Sequence, residues 1–171
     1  MTTVTQKVAI SGITPVGTAP TVYHTANTAP FVATSGTDTT PVVTETYLCA
    51  VRIDANTILT GISILNGSAV AGNITVALAD SLGNIVAVSA STAASGTAAY
   101  QKVPFASTIF VRGPSTYFVV LQHNNTGNRY RSHNVGNTPA GKLTGQVYGT
   151  IVAFTVPTTF TADLGPIADT Y

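Results

Sequence analysis

The chain has 171 residues and a formal net charge of +1, and only 8% of its residues are charged, against about 25% in ordinary globular proteins. This balance excludes broad nucleic-acid binding, because such binding needs several Lys and Arg to displace counterions from phosphates. A surface with so few charges is weakly protected against association, which favours a protein that packs against other protein chains.

The first predicted element is an extended N-terminal arm, residues 1–43. It contains Pro15, Pro20, Pro30 and Pro41 among many Thr, Ala and Gly residues. Because proline has no amide donor for a β-ladder, we expect at most short edge strands in this region. Two hypotheses remain for what holds the arm in place, the chain's own domain or a neighbouring subunit, and the neighbouring subunit is favoured.

Residues 44–171 are predicted to form a β-sandwich domain with an extended C-terminal tail. Short runs alternate apolar and polar residues, which is the period of a half-buried strand, and turn residues separate these runs. The predicted strands are 45–53, 57–65, 73–79, 84–90, 100–105, 107–113, 115–123, 129–134 and 143–150. The pattern indicates an all-β fold, an antiparallel β-sandwich of jelly-roll type with about eight strands.

Several residues predict local features of these strands. The sequence from Asp80 to Asn84 has the residues of a hairpin loop, and Asn66-Gly67 is a second turn signal. The alternation is broken between residues 58 and 62, which predicts a β-bulge. Cys49 is the only cysteine, so it forms no disulfide within the chain, and its apolar surroundings predict a small buried side chain.

The acidic residues offer few candidates for chemistry. Asp163 and Asp169 flank the sequence LGPIA near the C-terminus. One interpretation is a carboxylate pair, or a calcium site completed by nearby carbonyls. The favoured interpretation is a pair of turn or cap residues. Asp54 and Asp80 are likewise predicted to bond the local backbone at turns.

The three histidines, His24, His123 and His133, have no spacing that supports a zinc site. His123 and His133 would approach each other if residues 115–123 and 129–134 paired as a hairpin, but they would lack a third ligand. We therefore predict two surface histidines. The sequence also contains neither a nucleophile elbow nor a phosphate-binding loop. We predict no enzymatic activity, no catalytic residue, no cofactor and no metal.

The strongest positive patch predicted from the sequence is the stretch HNNTGNRYRSHN, residues 123–134. It gathers Arg129, Tyr130 and Arg131 around a turn. One interpretation is a contact site for a glycan, an anion or a protein partner, with Tyr130 as a stacking face and the arginines as donors. The favoured alternative is structural: strand alternation places both arginines on the solvent face and Tyr130 inward.

Four motifs carry a resemblance to a known class of proteins. In chain order they are G-I-x-x-L-N-G at 61–67, D-S-x-G-N at 80–84, G-P-x-x-Y-F at 113–118 and F-T-A-D-x-G-P-I at 160–167. Over residues 45–171 the chain resembles small β-rich virion proteins of tailed bacteriophages. Such proteins serve as capsid decoration (cement), head-fibre or tail-associated components and are often trimeric. The resemblance implies a structural role and transfers no site, because none of the motifs is catalytic.

The leading hypothesis is a non-enzymatic capsid decoration (cement) protein that binds and stabilises the head shell of a phage. Its expected partners are the major capsid protein and further copies of itself, with a trimer implied by the resemblance, and neither nucleic acid nor membrane. The first ten residues lack the pattern of a signal peptide, and no apolar run approaches the ~20 residues that span a membrane. We expect synthesis in the host bacterial cytoplasm and a place on the virion surface. The alternative hypothesis is a tail- or fibre-associated module that binds a host surface glycan.

Overall fold

The described residues of the computed structural model, 23–25, 34–134 and 138–171, consist of β-strands and connecting segments without any helix. No helix in this part of the chain is therefore long and apolar enough to cross a membrane. The strands are β1 (Tyr23–His24), β2 (Thr37–Thr39), β3 (Thr46–Ile53), β4 (Thr57–Leu65), β5 (Asn73–Ala79), β6 (Ile85–Val88), β7 (Thr92–Ala93), β8 (Tyr100–Val111), β9 (Ser115–His123), β10 (Tyr130–Ser132), β11 (Ala140–Leu143) and β12 (Ala168–Thr170).

The predicted all-β antiparallel sandwich is confirmed. One sheet, here called sheet A, has the strand order β1-β12-β4-β8. Sheet B has the order β11-β3-β9-β5-β6, with β7 also paired to β5, and β2 and β10 form a separate two-stranded sheet. Five of the described strands have only two or three residues, so the strands of four or more residues number seven, close to the predicted eight.

The interior between the two sheets is filled by the inward-facing side chains of both. Leu59, Ile62 and Ile64 of β4 meet residues of β3, β5 and β9 in one apolar cluster. Because side chains alternate across a strand, the polar residues between these positions on β4 face outward. Burial of this cluster supplies the main driving force for folding.

The outer face of sheet B is also buried, which the sequence did not predict. Residues 144–160, here called the strap, run across it without regular strand structure. The ring of Phe154 packs edge-on against Phe118 of β9 at a centroid distance of 6.2 Å. The side-chain amide of Gln122 also holds the strap, accepting a hydrogen bond from the Gly149 amide at 3.0 Å. A sheet covered on both faces has near-continuous apolar strands, and this accounts for part of the chain's low charge.

Replacing Phe154 by alanine tests the contribution of the strap. The ring is half-buried, so we expect the free energy of unfolding to fall by about 1–2 kcal/mol through lost apolar burial. The matched control is Val152→Ala in the same segment, since the Val152 side chain is 58% exposed and should change stability by less than about 0.5 kcal/mol. Urea unfolding measures the free energy of unfolding of both variants. Equal effects of the two substitutions would contradict the packing role of Phe154.

The register is irregular at the position where a bulge was predicted, but the extra residues belong to the partner strand β8, and the irregularity merges two predicted strands. The register of β4 against β8 shifts between Leu59, which pairs with Ile109, and Gly61, which pairs with Pro104. Residues 105–108 therefore lie opposite a single residue of β4. The predicted strands 100–105 and 107–113 are one strand, β8, because the bulge interrupts the alternation without ending the strand.

The predicted strand at 143–150 is wrong. The strand in this region, β11, ends at Leu143, and the following residues form turns. Gly145 and Gly149 have φ values of 68° and 79°, a left-handed conformation that glycine adopts without steric cost and that breaks an extended strand. Alternation of apolar and polar residues alone does not reveal this break.

The two predicted turns have different outcomes. The Asp80 carboxylate accepts hydrogen bonds from the amides of Leu82 and Asn84 at 2.8 and 2.9 Å, which confirms the hairpin loop. Asn66 is fully buried and forms a β-bridge with Tyr130 rather than a turn. Its side-chain amide donates to the carbonyl oxygen of Ser95 at 2.6 Å, so tertiary contacts override the local turn preference.

Two short parts of the predicted arm belong to the described structure. β1 lies at the edge of sheet A and pairs with β12, and Thr25 forms a bridge with Val51 of β3. β2 pairs with β10. Residues 1–22 and 26–33 lie outside the described residues, so the arm as a unit, and its attachment to a neighbouring subunit, stay predictions.

Candidate functional site

The candidate site follows from the pairing of β10 with β2. Tyr130, Arg131 and Ser132 lie opposite Thr39, Asp38 and Thr37. Strand alternation turns the side chains of Tyr130 and Ser132 into the interior, where both are fully buried, and leaves the two arginines half-buried on the other side. The structural interpretation of the sequence is therefore correct for Tyr130.

Tyr130 has no ring face available to a ligand. Its ring stacks on His123 at 5.3 Å between centroids and contacts Tyr47 at 5.0 Å. Its hydroxyl donates a hydrogen bond to the carbonyl oxygen of Leu164 at 3.1 Å. Tyr130 is fully buried, so the hypothesis that it stacks against a sugar is wrong. The three rings form an aromatic stack inside the sandwich.

The two arginines surround a carboxylate. The Arg131 Nε atom lies 3.9 Å from Asp38 Oδ1, and the Arg131 side chain is only 14% exposed. Arg129 donates a hydrogen bond to the hydroxyl of Thr40. The Asp38 carboxylate also accepts a hydrogen bond from the Ser68 amide at 2.9 Å. This network partly neutralises the positive patch that the sequence predicts.

The charge state of Asp38 is set by opposing effects. Its partial burial alone would raise the pKa of the carboxyl. The hydrogen bonds from Ser68 and the charges of Arg131 and Arg129 outweigh burial, and the pKa of Asp38 is lowered. Asp38 therefore stays ionised at neutral pH and compensates the arginines. A half-buried ion network of this kind can orient β2 against β10.

The prediction of two surface histidines is wrong. His123 is fully buried and His133 is 3% exposed. The side-chain amide of Asn128 donates to Nδ1 of His123 at 2.7 Å, and Nε2 of His133 lies 2.9 Å from the hydroxyl of Thr25. Burial lowers the pKa of His123 to about 3 and that of His133 to about 4, since the charged imidazolium loses its hydration.

The two histidines are not brought together by a hairpin. β9, which ends at His123, pairs with β3 and β5, whereas β10 pairs with β2. Among the residues that the structure describes, no group of three or more His, Cys, Asp or Glu side chains could hold a metal ion. Cys49 lies in β3 and is 1% exposed, as its apolar surroundings predict.

Asp163 and Asp169 have separate partners. Asp163 has a φ of 62°, its carboxylate accepts a hydrogen bond from Thr37, and its backbone amide donates to the His133 carbonyl at 2.8 Å. Asp169 lies in β12 and contacts His24. The two residues serve different local structures, which agrees with the interpretation as structural residues rather than with a shared calcium site.

One partly buried polar cluster was not found by sequence reasoning. Lys142 Nζ donates to Glu45 Oε1 at 2.6 Å, and the hydroxyl of Tyr47 donates to Glu45 Oε2 at 2.8 Å. Lys142 is the register partner of Tyr47 across β11 and β3. Burial raises the pKa of Tyr47, so this phenol remains a hydrogen-bond donor. No local sequence signal could reveal a cluster whose members are separated by nearly one hundred residues.

A groove of about 500 Å³ lies beside this cluster, between β11 and the strap. Its lining includes the apolar residues Leu48 and Leu164 and the charged residue Lys142. Threonine hydroxyls supply polar groups along it. These threonines are Thr155, Thr158, Thr159 and Thr161.

The fold and the candidate site define a charge-poor antiparallel β-sandwich protein with a neutralised arginine network at its surface. No family model, no curated protein and no solved structure matches the chain.

Proposed function

We propose that the protein is a structural component of a phage virion, most concretely a capsid decoration protein that binds the head shell. The resemblance over residues 45–171 supports this proposal, and so does the low share of charged residues, 8%. Its expected partners are the major capsid protein and further copies of itself. Its expected location is the capsid surface.

The observation that carries the proposal is an exposed pair of large apolar side chains on a protein with very little charge. Ile58 and Phe110 are partners across β4 and β8 and are 57% and 60% exposed. Other large apolar side chains exposed in the described part of the chain are Val42, Val43, Leu82, Val86, Val88, Val147 and Val152. Exposed apolar side chains that lie next to each other, as Ile58 and Phe110 do, are a feature of protein contact surfaces.

The first test is the copy number of the protein in purified particles, measured by quantitative mass spectrometry against the most abundant shell protein. A copy number in the hundreds would support a decoration role over the whole shell lattice. A copy number from a few to a few tens would favour the tail or fibre. Absence of the protein from particles would contradict both virion roles.

Deleting residues 1–22 tests the role of the predicted arm. This deletion retains every described strand, because β1 begins at Tyr23, so we expect an unchanged far-ultraviolet circular dichroism spectrum. We expect binding to shells that lack the protein to be lost in a co-sedimentation assay. The matched control is the full chain with Leu82→Ala, a substitution in an exposed turn. Full occupancy of shells by the truncated protein would exclude residues 1–22 of the arm as the binding element.

The alternative proposal is a tail- or fibre-associated module that binds a host surface glycan. The sequence analysis offered Tyr130 as a stacking face for the glycan, but Tyr130 is buried and cannot take this role. The groove beside β11 favours the proposal, because its lining of threonines and apolar residues matches the two kinds of contact that sugars make. A low copy number together with retention on host polysaccharide would support this alternative over the decoration role.

A further inference from the structure

Strand β11 is an edge strand of sheet B, and part of its backbone faces away from the sheet. The Ala50 amide of β3 donates to the Pro139 carbonyl at 2.9 Å. Because backbone groups alternate in direction along an antiparallel strand, those of Ala140 and Lys142 face away from β3. The Ala140 carbonyl accepts a hydrogen bond from the Thr161 amide at 3.0 Å. In the part of the chain that the structure describes, no hydrogen bond joins the backbone amide or carbonyl of Lys142, so the edge is open there.

The groove described above lies along this open edge, since all four residues of β11 line it. Leu48, Leu143 and Val156 supply apolar lining and belong to, or pack against, the buried cluster on the outer face of sheet B. Lys142 is the only charged lining residue, and its Nζ donates to Glu45 Oε1 at 2.6 Å. An open strand edge with apolar lining and a compensated charge fits an uncharged extended peptide segment, which can add to the sheet as a further strand.

The chain contains a segment with these properties outside the described residues. Residues 2–11 have the sequence TTVTQKVAIS, in which Val4, Val8 and Ile10 are separated by even numbers of residue positions. In an extended strand these three side chains share one face. The segment contains no proline and a single charge, Lys7, which belongs to the opposite face.

The position of β1 favours a neighbouring copy as the source of this segment. Residues 12–22 separate it from β1 and include Pro15 and Pro20. Fully extended, this linker spans about 35 Å at ~3.3 Å per residue, and proline favours the extended form. The chain's own groove lies close to β1, because Thr25 bridges Val51 of β3 and β3 pairs with β11. An extended linker therefore carries residues 2–11 past this groove and toward a second copy.

We propose that residues 2–11 of one copy add as a short strand to the open edge of β11 in a second copy. The backbone groups of Lys142 bond to the added strand, and Val4 and Val8 face the apolar lining of the groove. The contact joins different surfaces of two copies, so its repetition closes a ring or extends an array. The inference rests on the proposed function, because it specifies how copies of the chain associate.

Hydrogen exchange measured by NMR on the purified full chain reports the Lys142 amide. We expect this exchange to slow by about five- to tenfold between about 10 µM and about 1 mM chain, since mass action between identical chains follows about the square root of concentration. The amide of Val119, in the centre of sheet B, should show no such dependence. Because no particle is present, a negative result leaves the copy-number test of the proposed function unaffected.

Two double variants of equal charge make the test specific. Val4→Asp with Val8→Asp places carboxylates against the apolar lining, so the concentration dependence at Lys142 should disappear. Thr3→Asp with Thr5→Asp places the same charges on the opposite face and should retain it. All four positions precede the first described strand, so we expect unchanged far-ultraviolet circular dichroism spectra for both variants.

A third variant tests the groove itself. Thr158→Trp fills the groove from an exposed position and should also abolish the concentration dependence, whereas Thr108→Trp, exposed on β8, should not. Protection of Lys142 that is equal at all concentrations would indicate docking within one chain and would overturn the proposal. Protection that appears only after addition of host polysaccharide would overturn it in favour of a glycan in the groove. The absence of protection under every condition would also overturn it.

Discussion

Replacing Tyr130 by alanine is expected to lower the free energy of unfolding by about 3–5 kcal/mol, the usual cost of removing a buried aromatic ring. The ring is fully buried and contacts both His123 and Tyr47, so its loss leaves a cavity in the aromatic stack. Tyr130→Phe should cost about 1–2 kcal/mol, because the carbonyl of Leu164 loses a hydrogen-bond donor. Urea unfolding at neutral pH measures both values.

The matched control for this prediction is Arg129→Ala, the preceding residue in the same segment. Arg129 is half-buried and its contact to Thr40 lies at the surface, so we expect a loss of less than about 1 kcal/mol. A Tyr130→Ala protein with unchanged stability but reduced partner binding would show that the ring acts in recognition, and would contradict the structural role assigned here.

The stability of the whole domain is expected to fall steeply in acid. His123 is buried, and burial lowers its pKa to about 3 from an ordinary value of 6.5. Between these values the unfolded chain binds a proton that the folded chain does not bind. The free energy of unfolding should therefore decrease as pH falls from 6.5 toward 3, by up to about 1.4 kcal/mol per pH unit. His133 adds a similar decrease in the free energy of unfolding per pH unit between pH 6.5 and about 4.

The variant His123→Gln separates this effect from general acid unfolding. Glutamine does not titrate, so between pH 6 and 4.5 the slope of unfolding free energy against pH should be about half that of the unchanged protein. The substitution should also cost stability at pH 7, since the ring stacks on Tyr130. Denaturant unfolding at a series of pH values measures the slope. An unchanged slope in His123→Gln would mean that His123 is already hydrated in the folded state.

The candidate site shows which of its features could be predicted from the local sequence and which could not. Tyr130 and Arg131 lie on the short strand β10, with Arg129 directly before it, and the inward direction of Tyr130 follows from alternation. The partner of this strand, β2, lies more than ninety residues earlier in the chain. Asp38 therefore could not be predicted to neutralise the arginines, because strand pairing over such a separation leaves no local signal.

The histidines were mispredicted for a related reason. In isolation a histidine beside Asn and Gly has the features of a surface residue, and His123 and His133 both stand in such surroundings. Their burial results from contacts with distant groups, with Asn128 folded back over His123 and Thr25 lying over His133. A buried polar group is stable where such partners satisfy it, and the sequence does not indicate where they lie.

The sequence by itself determined the all-β class, most strand positions, the Asp80 hairpin and the irregularity at residues 58–62 of β4, because these depend on side-chain alternation and on turn residues within a few positions. The tertiary structure alone decided that the strap covers sheet B and that β12, near the end of the chain, lies between β1 and β4. It also decided which polar residues are buried. These outcomes depend on contacts between residues far apart in the chain. Such contacts stabilise the protein only when the whole domain packs, so no single segment of the sequence indicates them.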